Sequence, residues 1–181
     1  STFSDELGTW IEEVDVMEQP IVSAVTHSEN EVVFTVSGIP DVPGSAATVL
    51  EAVAEEHVNV DTILQNVVHG VAELSFSVPK DDAAATRRGI DAAAGTLGPM
   101  EVDENDDLGK VSLIGAGMRS HPGIAAKMFR TLADEGINLQ MISTSPIKIS
   151  CMIDRADVER AVRSLHAVFA LENETLTVGT E

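Results

Sequence analysis

A single cysteine, Cys151, excludes any disulfide within the chain. It sits in the alternating run Ile149-Ser150-Cys151-Met152-Ile153, which reads as a strand, so it is expected in a core rather than as a reactive thiol. Positive charge is also scarce: 11 lysines and arginines face 30 aspartates and glutamates, a formal net charge of −19. Such a field repels nucleic acid and anionic membranes, and no basic stripe interrupts it. Tyrosine is absent, which further opposes an RNA-binding sheet. No apolar run approaches the roughly 18 residues of a membrane span, and the first residues carry no signal-peptide pattern. A cytoplasmic location is the simplest expectation.

Catalytic signatures are missing as well. The histidines His27, His57, His69, His121 and His166 show no metal-ligand spacing, so neither a metal nor a cofactor is expected. Gly115-Ala-Gly117 followed by Ser120 lacks the third glycine of a dinucleotide fingerprint. No nucleophile–base pair, phosphate loop or kinase glycine-rich loop is recognisable, and no residue is assigned a catalytic role.

What is present is a repeat. The 181 residues accommodate two domains of roughly 80 each. An offset of 79 superimposes Pro43-Gly44 on Pro122-Gly123, Ala46-Ala47 on Ala125-Ala126, Asn59 on Asn138 and Ile63 on Ile142. Beyond that point an offset of 75 superimposes Leu74, Phe76 and Val78 on Ile149, Cys151 and Ile153. The first copy therefore carries four extra residues near His69-Gly70.

Each copy has the same element pattern. Glu31–Ser37 and Lys110–Gly115 read as strands, Ser45–Glu56 and Ile124–Glu135 as helices. Val58–Gln65 and Glu73–Val78 follow as strands, and Asp81–Ala94 and Asp157–Phe169 as second helices. The order is β-α-β-β-α-β, an α+β unit of the ferredoxin-like kind, twice in tandem. Met100–Val102 supplies a fourth strand to the first copy, while the second has only Leu176–Val178. Ile21–Val25, a strand with no obvious partner, is expected to join the second sheet.

The turn Gly38-Ile-Pro-Asp41-Val-Pro-Gly44 carries the chemistry. Free N–H groups at the start of the following helix, with the positive end of its dipole, suit a ligand carboxylate. Asp41 beside them suits an ammonium. Together they match the head group of a free α-amino acid, although a lone Asp-x-Pro-Gly turn more often only caps a helix.

Three segments extend this reading: Asp41–Gly44 with Asn59–Asn66, Gly109–Gly123, and Asn138–Ser150. Over about residues 20–172 the chain resembles the paired ACT domains at the C-terminus of aspartate kinases of the threonine- and lysine-regulated type. Ser1–Trp10 also resembles the last stretch of such a kinase's catalytic domain, and Met17 stands where a separately made regulatory subunit would start. The implied organisation is a tail from the kinase domain over 1–19, one ACT domain over 30–107, and a second formed by 20–29 with 108–178.

The resemblance implies a non-catalytic homodimeric module for feedback inhibition, with an aspartate kinase catalytic domain or subunit as partner. Asp41, Gly44, Ala46 and Gln65 would hold threonine from one chain, and Asn138 and Leu139 would close the site from the other. A related site, with lysine as implied occupant, would pair Ser120, His121, Gly123 and Ala125 with Asn59 and Asp61. Ser120 stands where the first copy has Asp41, so the second site cannot hold an ammonium identically. Rival readings are an ACT module of another amino-acid enzyme and a small ferredoxin-like enzyme such as an acylphosphatase. The latter needs an anion-binding arginine where this chain has Asp41.

Overall fold

The computed structural model describes residues 22–116, 118, 121–169 and 171. Along these run β1 (Ala24–Ser28), β2 (Val32–Pro40), α1 (Ser45–Glu55), β3 (Ile63–Val68), β4 (Val71–Val78), α2 (Ala83–Leu97) and β5 (Glu101–Asn105). The second half contains β6 (Leu108–Ile114), α3 (Ile124–Asp134), β7 (Met141–Ser145), β8 (Lys148–Asp154) and α4 (Val158–Val168). Short 3-10 turns at Lys80–Asp82 and Arg155–Asp157 lead into α2 and α4, one turn earlier than the apolar stripes begin.

The strands form two four-stranded antiparallel sheets, ordered β3-β4-β2-β5 and β1-β6-β8-β7. Each sheet packs its inner face on two helices, which makes the chain a tandem ferredoxin-like α+β protein. In the first core, Val49 and Val53 of α1 and Ile90 and Ala93 of α2 cover Phe34, Val36, Leu74 and Phe76. Phe34 and Phe76 stack across β2 and β4 with ring centroids 6.1 Å apart. With aromatics so few, aliphatic side chains do most of the remaining work, each worth roughly 1.5–3 kcal/mol when fully buried. Val111, Leu113, Met128, Leu132, Cys151, Ile153 and Leu165 fill the second core in the same way.

β1 precedes the first unit yet pairs with β6, from Ala24↔Ile114 to Ser28↔Lys110. It takes the place beside β6 that β5 takes beside β2. The strand runs Ala24–Ser28 rather than Ile21–Val25, and Ile21 lies outside the described residues, as does Leu176–Val178. The strand expected at Val58–Gln65 also starts later, at Ile63. Before it, Val58 and Thr62 are buried and Val60 packs on the first core, so this stretch descends from the helix layer before regular pairing begins.

The two units touch through the sheet faces that point away from their helices. Val33 of β2 packs there with Leu108, Met141 and Met152.

Candidate functional site

The strand that leads into the Asp41 turn is longer than its sequence pattern indicates. β2 passes through an irregularity between Val36 and Ile39, where Gly38 takes φ 84°, and continues as Ile39↔Ala72 and Pro40↔Val71. The N–H of Asp41 then donates to the carbonyl of Gly70 at 3.2 Å. After Pro43 the chain turns through Gly44 at φ 99°, a left-handed conformation that glycine adopts without the penalty a side chain would add. Helix α1 begins at once, with the Gly44 carbonyl accepting from the Thr48 N–H at 2.9 Å and from Thr48 Oγ1 at 3.1 Å. The N–H groups of Ala46 and Ala47 belong to the first turn, where a helix has no acceptors of its own to offer.

These residues surround a pocket of about 370 Å³. Asp41, Gly44, Ser45 and Ala46 come from the turn and the start of α1, and Gln65 reaches it from β3. Ile39, Ala72 and Leu74 supply an apolar side. Ser45 Oγ is buried and has no hydrogen-bond partner among the described residues. The arrangement offers a carboxylate, a positive helix end, a neutral amide and an apolar wall within one small space.

The four extra residues of the first copy build part of this wall. In the second unit the β7–β8 ladder ends at Ser145↔Lys148, which corresponds by the repeat to Asn66↔Glu73. The first hairpin runs two rungs further, through Val67↔Ala72 and Val68↔Val71, before turning at His69 and Gly70, both of positive φ. That extension carries Ala72 to the pocket and Gly70 to the N–H of Asp41. The repeat arithmetic located the extra residues, but nothing in it indicated that they belong to a site.

The remaining expected residues lie elsewhere in the chain. Asn138 and Leu139 occupy the connection from α3 to β7, Asn138 exposed and Leu139 half-buried against the second core. At the second turn, Gly123 takes φ 102° ahead of α3, His121 is exposed and Ala125 is half-buried. Ser120 lies outside the described residues. Asn59 is exposed in the connection from α1 to β3, and so is Asp61, whose carboxylate meets Lys110 of β6 at 2.6 Å.

Sequence reasoning passed over Lys110. Its Nζ also lies 2.6 Å from Glu31, and both of those side chains are nearly buried. The hydrogen bond from Lys110 holds the Asp61 carboxyl below its ordinary range; burial opposes this, and the charges of Lys110 and Lys148 assist. Burial pulls the Lys110 ammonium down, but its bonds to Asp61 and Glu31 and their charges outweigh that and raise it overall. Cys151, deep in the second core, has its thiol pushed up to about 12 by burial, as fits an inert core residue. Among the described residues no group of three or more His, Cys, Asp or Glu side chains is placed to hold a metal ion. Nor is any described helix long and apolar enough to cross a membrane.

Residues 111–169 match the ACT domain family. The chain is 42% identical over 177 residues to an aspartokinase of Mycolicibacterium smegmatis, covering 94% of this chain and 42% of that protein. It is 41% identical over 174 residues to an aspartate kinase of Pseudomonas fluorescens, again over 42% of the relative. The chain thus spans about two-fifths of the length of the curated relatives it matches. Among solved structures, one of aspartokinase alpha and beta subunits superimposes with a TM-score of 0.77 at 45% identity, covering 83% of this chain and 99% of that one. The ligand-free regulatory subunit of aspartate kinase from Thermus thermophilus superimposes with a TM-score of 0.78 at 35% identity, covering 82% and 99%.

Proposed function

The chain belongs to the aspartokinase family as a regulatory region built of ACT domains, and from that premise we propose that it binds free threonine in the Asp41–Gln65 pocket and relays feedback inhibition to an aspartate kinase catalytic partner. The observation that carries this reading is the convergence of Asp41, the first turn of α1 and Gln65 on one small pocket. Asp41 takes the ligand ammonium, and the N–H groups of Ala46 and its neighbour take the carboxylate at the positive end of the helix. Gln65 takes the side-chain hydroxyl, while Ile39, Ala72 and Leu74 accept the methyl group. The chain itself performs no chemistry and leaves phosphoryl transfer to its partner.

A second copy of the chain completes the site with Asn138 and Leu139. The sheet edges support this. Every residue of β3 is exposed and none is charged, and Ile63, Leu64, Val67 and Val68 are each between 43% and 53% exposed. The opposite edge of that sheet, β5, carries Glu101, Asp103 and Glu104, which discourage pairing. β7 is an edge of the second sheet, free of charge like β3, and displays Ile142. A dimer joined through β3 and β7 buries these apolar edges. Lysine occupies the related site formed by Ser120, His121, Gly123 and Ala125 with Asn59 and Asp61.

Calorimetric titration of the chain with threonine, lysine and methionine tests the ligand. Sedimentation over a concentration series, with and without threonine, tests the shared site. Threonine is expected to bind and to shift the equilibrium toward dimer by linkage. Absence of threonine binding rules out the pocket reading, and an unchanged dimer constant at saturating threonine rules out the shared site.

A further inference from the structure

Lys110 ties the two units together at the end of the first sheet where β2 and β3 begin. It stands on β6, and its Nζ is 2.6 Å from Glu31 Oε1 and 2.6 Å from Asp61 Oδ2. The Lys110 and Glu31 side chains are only 14% and 8% exposed, so solvent and salt screen this contact far less than a surface pair. Both carboxylates belong to the first unit. Glu31 immediately precedes β2, and Asp61 lies in the connection from α1 to β3.

That connection is held from two directions. The Asp61 N–H donates to the Ser77 carbonyl at 3.0 Å and the Thr62 N–H to Ser77 Oγ at 3.4 Å, which anchor it to β4. The Asp61 side chain anchors it to the second unit. β3 begins two residues later and, as an edge strand, pairs with β4 alone among the described residues of its own chain. Its position is therefore set by one ladder and by the connection that feeds it. Gln65, four residues after Asp61, sits opposite Leu74 and lines the pocket with it.

We infer that Lys110 is a positioning residue that couples the pocket to the second unit. Its ammonium holds the Asp61 connection, and through it β3 and Gln65, in place against β6. A shift of one unit against the other must carry the connection along or break the tie, so ligand occupancy and the arrangement of the units bias each other reciprocally. The inference rests on the proposed pocket only where it uses threonine as the probe.

The test uses the full chain and two variants. Asp61→Asn removes the carboxylate charge and weakens the tie while leaving the buried Glu31–Lys110 pair intact. Glu31→Gln combined with Lys110→Met removes the ammonium without leaving Glu31 buried and unpaired. Both are expected to accelerate backbone hydrogen exchange across residues 58–66 by about threefold while α2 stays protected. Both should also weaken threonine, measured calorimetrically, by about twofold or more. Lys110→Arg, which keeps a cation, should lie close to the parent. Unchanged exchange in both variants overturns the inference, as does faster exchange with unaltered threonine affinity. An effect of Asp61→Asn alone also overturns it, because Asp61 would then influence threonine by a route that does not pass through Lys110. If the parent chain takes up no threonine, the pocket reading fails, and the exchange measurement by itself supports or overturns the role of Lys110.

Discussion

Gly44 and Gly123 hold the same left-handed conformation, φ 99° and φ 102°, at the N-caps of α1 and α3. They are equivalent positions of the repeat, and beyond the adjoining residues no atom of the described residues lies within 4 Å of a Cβ built on either. Alanine at either position therefore meets no steric clash, only the conformational penalty of the left-handed region, roughly 1–2 kcal/mol. Gly44→Ala and Gly123→Ala should lower stability by similar amounts in thermal or denaturant melts. Only Gly44→Ala should also weaken threonine, because it disturbs the turn that presents Asp41. Equal threonine affinity in the two variants would count against the Asp41 turn as the site.

Asp41→Ala should weaken threonine by roughly one to two orders of magnitude, since hydrogen bonds to charged groups are worth about 1.5–3 kcal/mol and 1.4 kcal/mol is tenfold in affinity. Asp41 is exposed, so the melting temperature of the unliganded chain should hardly move. Gln65→Ala should instead narrow the preference for threonine over valine, which lacks the hydroxyl. Calorimetry on both variants with both amino acids separates the two roles.

Helices α1 and α2 cross closely enough that Gly89 has no room for a side chain. A Cβ there would sit 2.7 Å from Val53 Cα and 2.8 Å from the Ala52 carbonyl oxygen, both backbone atoms. Gly89→Ala should cost about 1–3 kcal/mol or more, because the helices must separate. Gly95, in the same helix, faces open space. Gly95→Ala should stabilise the chain by roughly 0.5–1 kcal/mol through helix propensity alone. Paired denaturant titrations check both signs at once.

Acid should release the tie between Asp61 and Lys110. The Asp61 carboxyl is lowered from its ordinary 3.8, chiefly by the Lys110 hydrogen bond, so the folded state binds its proton less readily than the unfolded chain. The stability it adds is complete well above pH 3.8 and is lost as pH falls through the lowered folded value. About half of the Asp61 side chain is exposed, which keeps the contribution below about 1 kcal/mol. Parent and Asp61→Asn should therefore differ in stability at pH 6 and converge toward pH 2. A difference that stays constant over that range would show that Asp61 acts without its charge.

Much of this was legible in the chain because it is local. Alternating residues from Glu73 to Val78 and the apolar spacing of Val158, Ala161 and Leu165 specify which face of each element is buried, whatever its neighbours. The repeat located two like units, and the Pro-Gly turns marked both helix starts, since proline and glycine act on their own backbone. Asp41 stood out for the same reason, whereas the role of Gln65 came only through family resemblance.

Other features had no local signal. Pairing energy between β1 and β6 joins residues about 90 apart, so a strand preceding the first unit could be assigned to the second sheet only by counting elements. The lengthened hairpin became a pocket wall once Ala72 and Gly70 met the end of β2. Glu31, Asp61 and Lys110 are ordinary charged residues in sequence, and only the packing of one sheet face on the other takes Glu31 and Lys110 out of water and brings Asp61 within reach as a clasp. The sequence by itself determined the elements, their buried faces and the twofold repetition, because those follow from each residue's own geometry and polarity. Tertiary structure decided which edges pair, where the pocket wall stands and which charges meet, because those depend on the free energy of contacts between distant segments.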